Sequence, residues 1–109
     1  MVIDVLGAEY EIVFSNKEKD LKLNNCDGYC DDTLHKIVVL DCEEMKTDIM
    51  AKGDPDNYKQ KVLRHEIIHA FLFESGLSLN SDWADNEEMI DWIAYQLPKI
   101  QKALESIKF

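Results

Sequence analysis

The sequence predicts an α+β domain: a small, mostly antiparallel sheet of two hairpins packed on one long helix, with a second helical segment at the C-terminus. Three observations carry this. β-Branched and aromatic residues cluster in the first forty positions, as Val2-Ile3-Asp4-Val5, Tyr10-Glu11-Ile12-Val13-Phe14 and Ile37-Val38-Val39-Leu40. Helical signals take over after Asp41. The chain has 109 residues, 46% hydrophobic and 31% charged, which suits one domain (1–109) with one core.

Taken in order, Gly7-Ala8 separates the first two apolar runs and predicts a hairpin turn. Ser15 to Asn25 is polar and reads as a loop or a short solvated helix. From Asp27-Gly28-Tyr29 a strand runs to Asp31-Asp32-Thr33, turns, and returns through Lys36 to Leu40. Acidic residues from Asp41 to Met45 are suited to the start of a short helix, which Gly53 limits. Asp54-Pro55 is a clear start for the long helix, because Asp caps free N–H groups and Pro at the first position forfeits no bond. That helix is expected to reach Ser75, where Gly76 supplies a left-handed stop. The last helix begins among Asp82 to Asn86 and is kinked or divided at Pro98.

Charge narrows the partners. A net charge of −10 repels phosphate backbones and anionic membrane surfaces, so nucleic acid and membrane are excluded as direct partners. Apolar runs never exceed four residues, and the N-terminus lacks the pattern of a secretory signal, which places the chain in the cytoplasm. Cys26, Cys30 and Cys42 are then expected as free thiols.

The chemistry concentrates in Arg64-His65-Glu66-Ile67-Ile68-His69, an H-E-x-x-H motif inside the long helix. Residues four apart share a helical face, so the rings of His65 and His69 can hold one Zn²⁺. Glu66 lies about 100° round the helix from His65 and about 60° from His69, within reach of an activated water as its general base. Two histidines on a buried face without a metal would each need separate hydrogen-bond partners.

A catalytic zinc takes three protein ligands, so one more is sought. On the last helix Ile90, Ile93, Ala94 and Leu97 define the buried stripe; Glu87 falls about 70° from its centre, Asp91 about 110° and Glu88 about 170°. Glu88 therefore faces solvent and Glu87 borders the core. Asp91, one turn on, is suited to hold the second nitrogen of a ligating histidine. A solvated acidic helix start is the competing account of all three.

H-E-x-x-H followed 18 positions after His69 by Asn86-Glu87-x-x-x-Asp91 resembles the gluzincin pattern of zinc metallopeptidases. The stretch from His65 to Ala94, together with Cys26-Asp27-Gly28-Tyr29, is similar to small metallopeptidase-like proteins of phages and prophages of the ImmA/IrrE type. The resemblance implies a minimal zincin-like fold, His65, His69 and Glu87 as ligands of one Zn²⁺, and Glu66 as base. It further implies an edge strand able to pair with a peptide or protein substrate, and a regulatory role toward a phage regulatory protein. A chain this short lacks the large C-terminal domain that supplies oxyanion donors in thermolysin-like enzymes, so zinc is expected as the main electrophile, helped by Tyr95 or Tyr29, with half-buried packing the competing account of Tyr95. The alternative is a zinc-binding phage regulatory or interaction module with little turnover. His35 is expected exposed in a polar turn, and Trp83 and Trp92 are expected to close a core or to floor a peptide groove. The acidic set Asp27, Asp31, Asp32, Asp41, Glu43 and Glu44 reads as a solvated rim whose field favours basic substrates.

Overall fold

The computed structural model describes residues 1–41 and 53–108. Strands β1 (Val2–Val5), β2 (Ala8–Ser15), β3 (Gly28–Asp31) and β4 (Lys36–Leu40) form one sheet in the order β1-β2-β4-β3. Helices α1 (Pro55–Glu74), α2 (Leu77–Asn80) and α3 (Glu87–Glu105) follow, with one-turn 3₁₀ helices at Leu21–Asn24 and Asp82–Asp85. The fold is thus α+β, with two hairpins and a helical C-terminal half. The expected short helix at Asp41 to Met45 lies almost wholly outside the described residues, as do Cys42, Glu43 and Glu44.

The first turn sits one residue earlier than the sequence suggested. Leu6 and Gly7 both have positive φ, 50° and 93°, the pattern of a two-residue turn whose twist matches that of the strands. Ala8 already pairs with Val5. The two hairpins are joined by a parallel pairing, β2 with β4, from Glu11 opposite Lys36 to Ser15 opposite Leu40. That central position explains the unbroken run Ile37-Val38-Val39-Leu40, since an interior strand is covered on both faces. Ile37 and Val39 join Val5, Tyr10 and Ile12 against Val62 and Ala70 of α1. Val38 and Leu40 pack instead on Leu23 of the first 3₁₀ turn. The polar segment after Ser15 therefore carries a core residue.

Helix α1 starts as its sequence dictates: Asp54 Oδ1 accepts the Asn57 N–H at 3.1 Å, and Pro55 follows. It ends at Ser75, with Gly76 at φ 83°. Asn86 caps α3 by accepting the Met89 N–H at 3.0 Å. Pro98 lies inside α3 without dividing it. Helix α3 runs antiparallel to α1, since Asp91 meets Lys61 and His65 while Glu87, a turn earlier, meets His69. At Gly28 the start of β3 passes so close to α1 that a Cβ there would lie 2.6 Å from Val62 Cγ1. That close approach sets the motif helix against the edge strand. Among the described residues no helix is long and apolar enough to cross a membrane.

Candidate metal centre

His65 and His69 project from one face of α1 with ring centroids 5.0 Å apart. Glu87, the first residue of α3, reaches across to both. Its Oε2 is 2.8 Å from His65 Nε2 and its Oε1 is 3.0 Å from His69 Nε2. One ligand atom from each of the three lies within 4.8 Å of the other two. Two imidazoles and a carboxylate are a donor set that zinc accepts, and separations of 2.8 to 4.8 Å among their ligand atoms bracket the tetrahedral edge of about 3.4 Å. The residues therefore fit the group.

Asp91 Oδ1 lies 3.3 Å from His65 Nδ1, and Lys61 Nζ lies 2.9 Å from the same oxygen. Lys61, with a smaller contribution from His65, holds the Asp91 carboxyl below its ordinary range. A carboxylate on Nδ1 keeps the proton there and turns Nε2 toward Glu87 and the cleft. Glu66 is the buried charged residue of the described core, 7% exposed. Burial pushes its carboxyl up to about 7, Glu87 adds to the rise, and His65 opposes it.

His65, Glu66, His69 and Glu87 line a cleft of about 410 Å³ between α1, the start of α3 and the edge strand β3. Cys26 and Cys30 line it too. Both are free, and burial raises them, Cys30 to about 12, so they are neutral thiols. Tyr29 also borders the cleft, its hydroxyl donating to Asp20.

Of the residues singled out from the sequence, the structure brings together His65, His69, Glu87, Asp91 and Glu66, and leaves Glu88 exposed. Tyr95 is not brought in. It lines a different depression with Arg64 and Pro98, and Lys99 Nζ sits 4.3 Å above its ring. Position along the helix explains this: Tyr95 stands two turns, about 12 Å, beyond Glu87 on a helix antiparallel to α1, and so lies against the N-terminal half of α1, away from the cleft. Trp83 and Trp92 do not close a core either, being 43% and 60% exposed. His35 is exposed as expected, stacked on Tyr10 at 4.9 Å. Of the acidic set, Asp32 lines the cleft, while Asp27 accepts from Tyr58 and Asp31 accepts from Thr33 and Leu34 in the second turn.

Sequence reasoning missed Lys61. Its spacing was legible, since 61, 65 and 69 continue one stripe of α1, but its partner stands thirty residues away on α3. It missed Gly28 as well, whose role depends on which helix crosses it. No family model, curated protein or solved structure matches the chain.

Proposed function

We propose that this protein is a zinc-dependent metallopeptidase of the gluzincin pattern, hydrolysing peptide bonds in a peptide or protein substrate. One observation carries the reading: Glu87 stands between two imidazoles of an H-E-x-x-H helix, with their ligand atoms gathered within 4.8 Å. Bound zinc supplies a Lewis acid that polarises a carbonyl and acidifies water. His65, His69 and Glu87 hold it, and Asp91 keeps the His65 ring in the ligating tautomer. Glu66, on the cleft wall beside them, takes the proton of the attacking water and hands it to the leaving amine. Strand β3 is an edge of the sheet along the same cleft, so an extended peptide that adds to this edge runs its backbone past Glu66. Two free thiols in the cleft, Cys26 and Cys30, favour a reducing, cytoplasmic setting. The resemblance to phage-encoded proteins favours a phage regulatory protein as the substrate.

The test is zinc content together with turnover. Purified without chelator, the protein is expected to carry one zinc per chain and to cleave members of a fluorogenic peptide library. Glu66→Gln is expected to keep the zinc and lose roughly 10²–10⁴-fold in rate, the usual contribution of a general base. Wild-type cleavage by Glu66→Gln, or no stoichiometric zinc, defeats the reading. Full zinc with no cleavage of library or candidate partner selects the zinc-dependent interaction module instead.

A further inference from the structure

We propose that Arg64 is a positioning residue: by donating to the carbonyl that Pro98 deprives of its helical donor, it sets where α3 sits along α1 and so places Glu87 between the histidines. Proline has no N–H, so the carbonyl four residues earlier receives no i→i−4 bond. Here that carbonyl belongs to Ala94, whose residue is fully buried. Arg64 Nε donates to it at 2.7 Å. Arg64 is the chain's single arginine and stands next to His65.

Two kinds of contact hold α3 on its neighbours. Ile90 and Ala94 are buried apolar residues, and apolar burial is nearly indifferent to a small slide. A directional bond is not. Glu87, Asp91 and Ala94 fall at i, i+4 and i+7, one stripe facing α1, and their partners His69, His65 and Arg64 step backward along that helix. A slide of α3 along its axis by one residue's rise, about 1.5 Å, without rotation leaves its apolar stripe buried and moves Glu87 off the histidines. Pro98 and Arg64 act as one device, the first creating an acceptor that only a correctly seated α3 presents to the second. Ala94 has no side chain beyond Cβ to obstruct the guanidinium.

The device is separable from the metal ligands, since neither Arg64 nor Pro98 belongs to the group of possible ligands. It rests on the metal reading only where zinc is the readout. The experiment is a double-mutant cycle with Arg64→Met and Pro98→Ala, read by zinc affinity in competition with a chromophoric chelator and by thermal midpoints of the zinc-free proteins. Arg64→Met is expected to weaken zinc binding about tenfold, as loss of outer support does at metal sites. Pro98→Ala gives the Ala94 carbonyl a helical N–H in place of the guanidinium and so releases Arg64 from α3; that variant and the double variant are expected to bind zinc about as weakly as Arg64→Met, the second change adding little to the first. An equal loss from Arg64→Met in both backgrounds overturns the proposal, and so does no loss in either. If Arg64→Met alone fails to fold, the double variant decides: folded with zinc binding about tenfold weaker than wild type it supports the proposal, and unfolded, or folded with wild-type affinity, it overturns it. If wild type holds no zinc, the metal reading fails separately. The proposal then stands or falls on the midpoints, where Arg64→Met must cost more with Pro98 in place than in the Pro98→Ala background.

Discussion

A carboxylate with 7% exposure is expensive to ionise, and in Glu66 the expense is visible as a carboxyl pushed up to about 7. Folded, this group holds its proton more tightly than the unfolded chain does, so the zinc-free protein loses stability as pH rises from about 4.5 to about 7 and changes little from this source above that. The loss is roughly 3 kcal/mol. Glu66→Gln keeps the shape and removes the ionisation. Denaturant unfolding of the chelator-treated proteins is expected to show the variant more stable than wild type at pH 8 and equal to it near pH 4.5; equal stability at both pH values would refute the burial argument. Lys61 makes the opposite case, a charge whose worth lies in the neighbour it holds. Lys61→Met frees Asp91 from its 2.9 Å partner and is expected to weaken zinc binding about tenfold, measured by chelator competition, with the fold retained by far-ultraviolet circular dichroism. The histidines and Glu66 were legible in the sequence because their relation is local, fixed by helical spacing. Glu87 and Asp91 were legible as a border stripe of their helix, whereas Lys61, Gly28 and Arg64 acquire their roles only from an element packed across from them.

Among the elements, the clearest dependence is that of β3 on α1. Gly28 sits where a Cβ would meet Val62 Cγ1 at 2.6 Å and the Val38 carbonyl oxygen at 3.1 Å. The second contact is backbone and cannot give way cheaply. Gly28→Ala is expected to destabilise the fold by about 1–3 kcal/mol, the usual cost of overpacking, measured by urea unfolding. A neutral result would mean that α1 rides more loosely on the strand than the structure shows. Both hairpins could be read from turn residues and apolar runs, since a hairpin joins neighbours in sequence. The parallel pairing of β2 with β4 could not, because a 3₁₀ turn and strand β3 lie between them in the chain, and only the doubly buried run Ile37 to Leu40 hinted at an interior position. The same limit applied to Leu23, an apolar residue in a polar stretch whose partners, Val38 and Leu40, lie on the strand that the stretch crosses.

At the scale of the whole molecule, the proposed metal joins parts that the chain order keeps apart. Two ligands lie on α1 and the third opens α3, with α2 and a 3₁₀ turn between them. Without a cation, the Glu87 end of the α1–α3 contact depends on its bonds to the two imidazoles, and a largely exposed carboxylate gains little from such pairs in water. A bound cation replaces those weak pairs with coordination and fastens the start of α3 to α1. Stability gained this way follows mass action, about 4 kcal/mol when free zinc exceeds its dissociation constant a thousandfold. For a domain of this size that corresponds to a rise in melting temperature of roughly 15 °C or more. Glu87→Gln is expected to abolish most of this rise while leaving the zinc-free melting temperature within a few degrees of wild type. Hydrogen exchange adds a spatial test: zinc should slow exchange most in the first turns of α3 and the middle of α1, and little in β1, which lies at the far edge of the sheet. Uniform slowing across all elements would show that the ion stabilises the fold as a whole rather than acting as a local staple between the two helices.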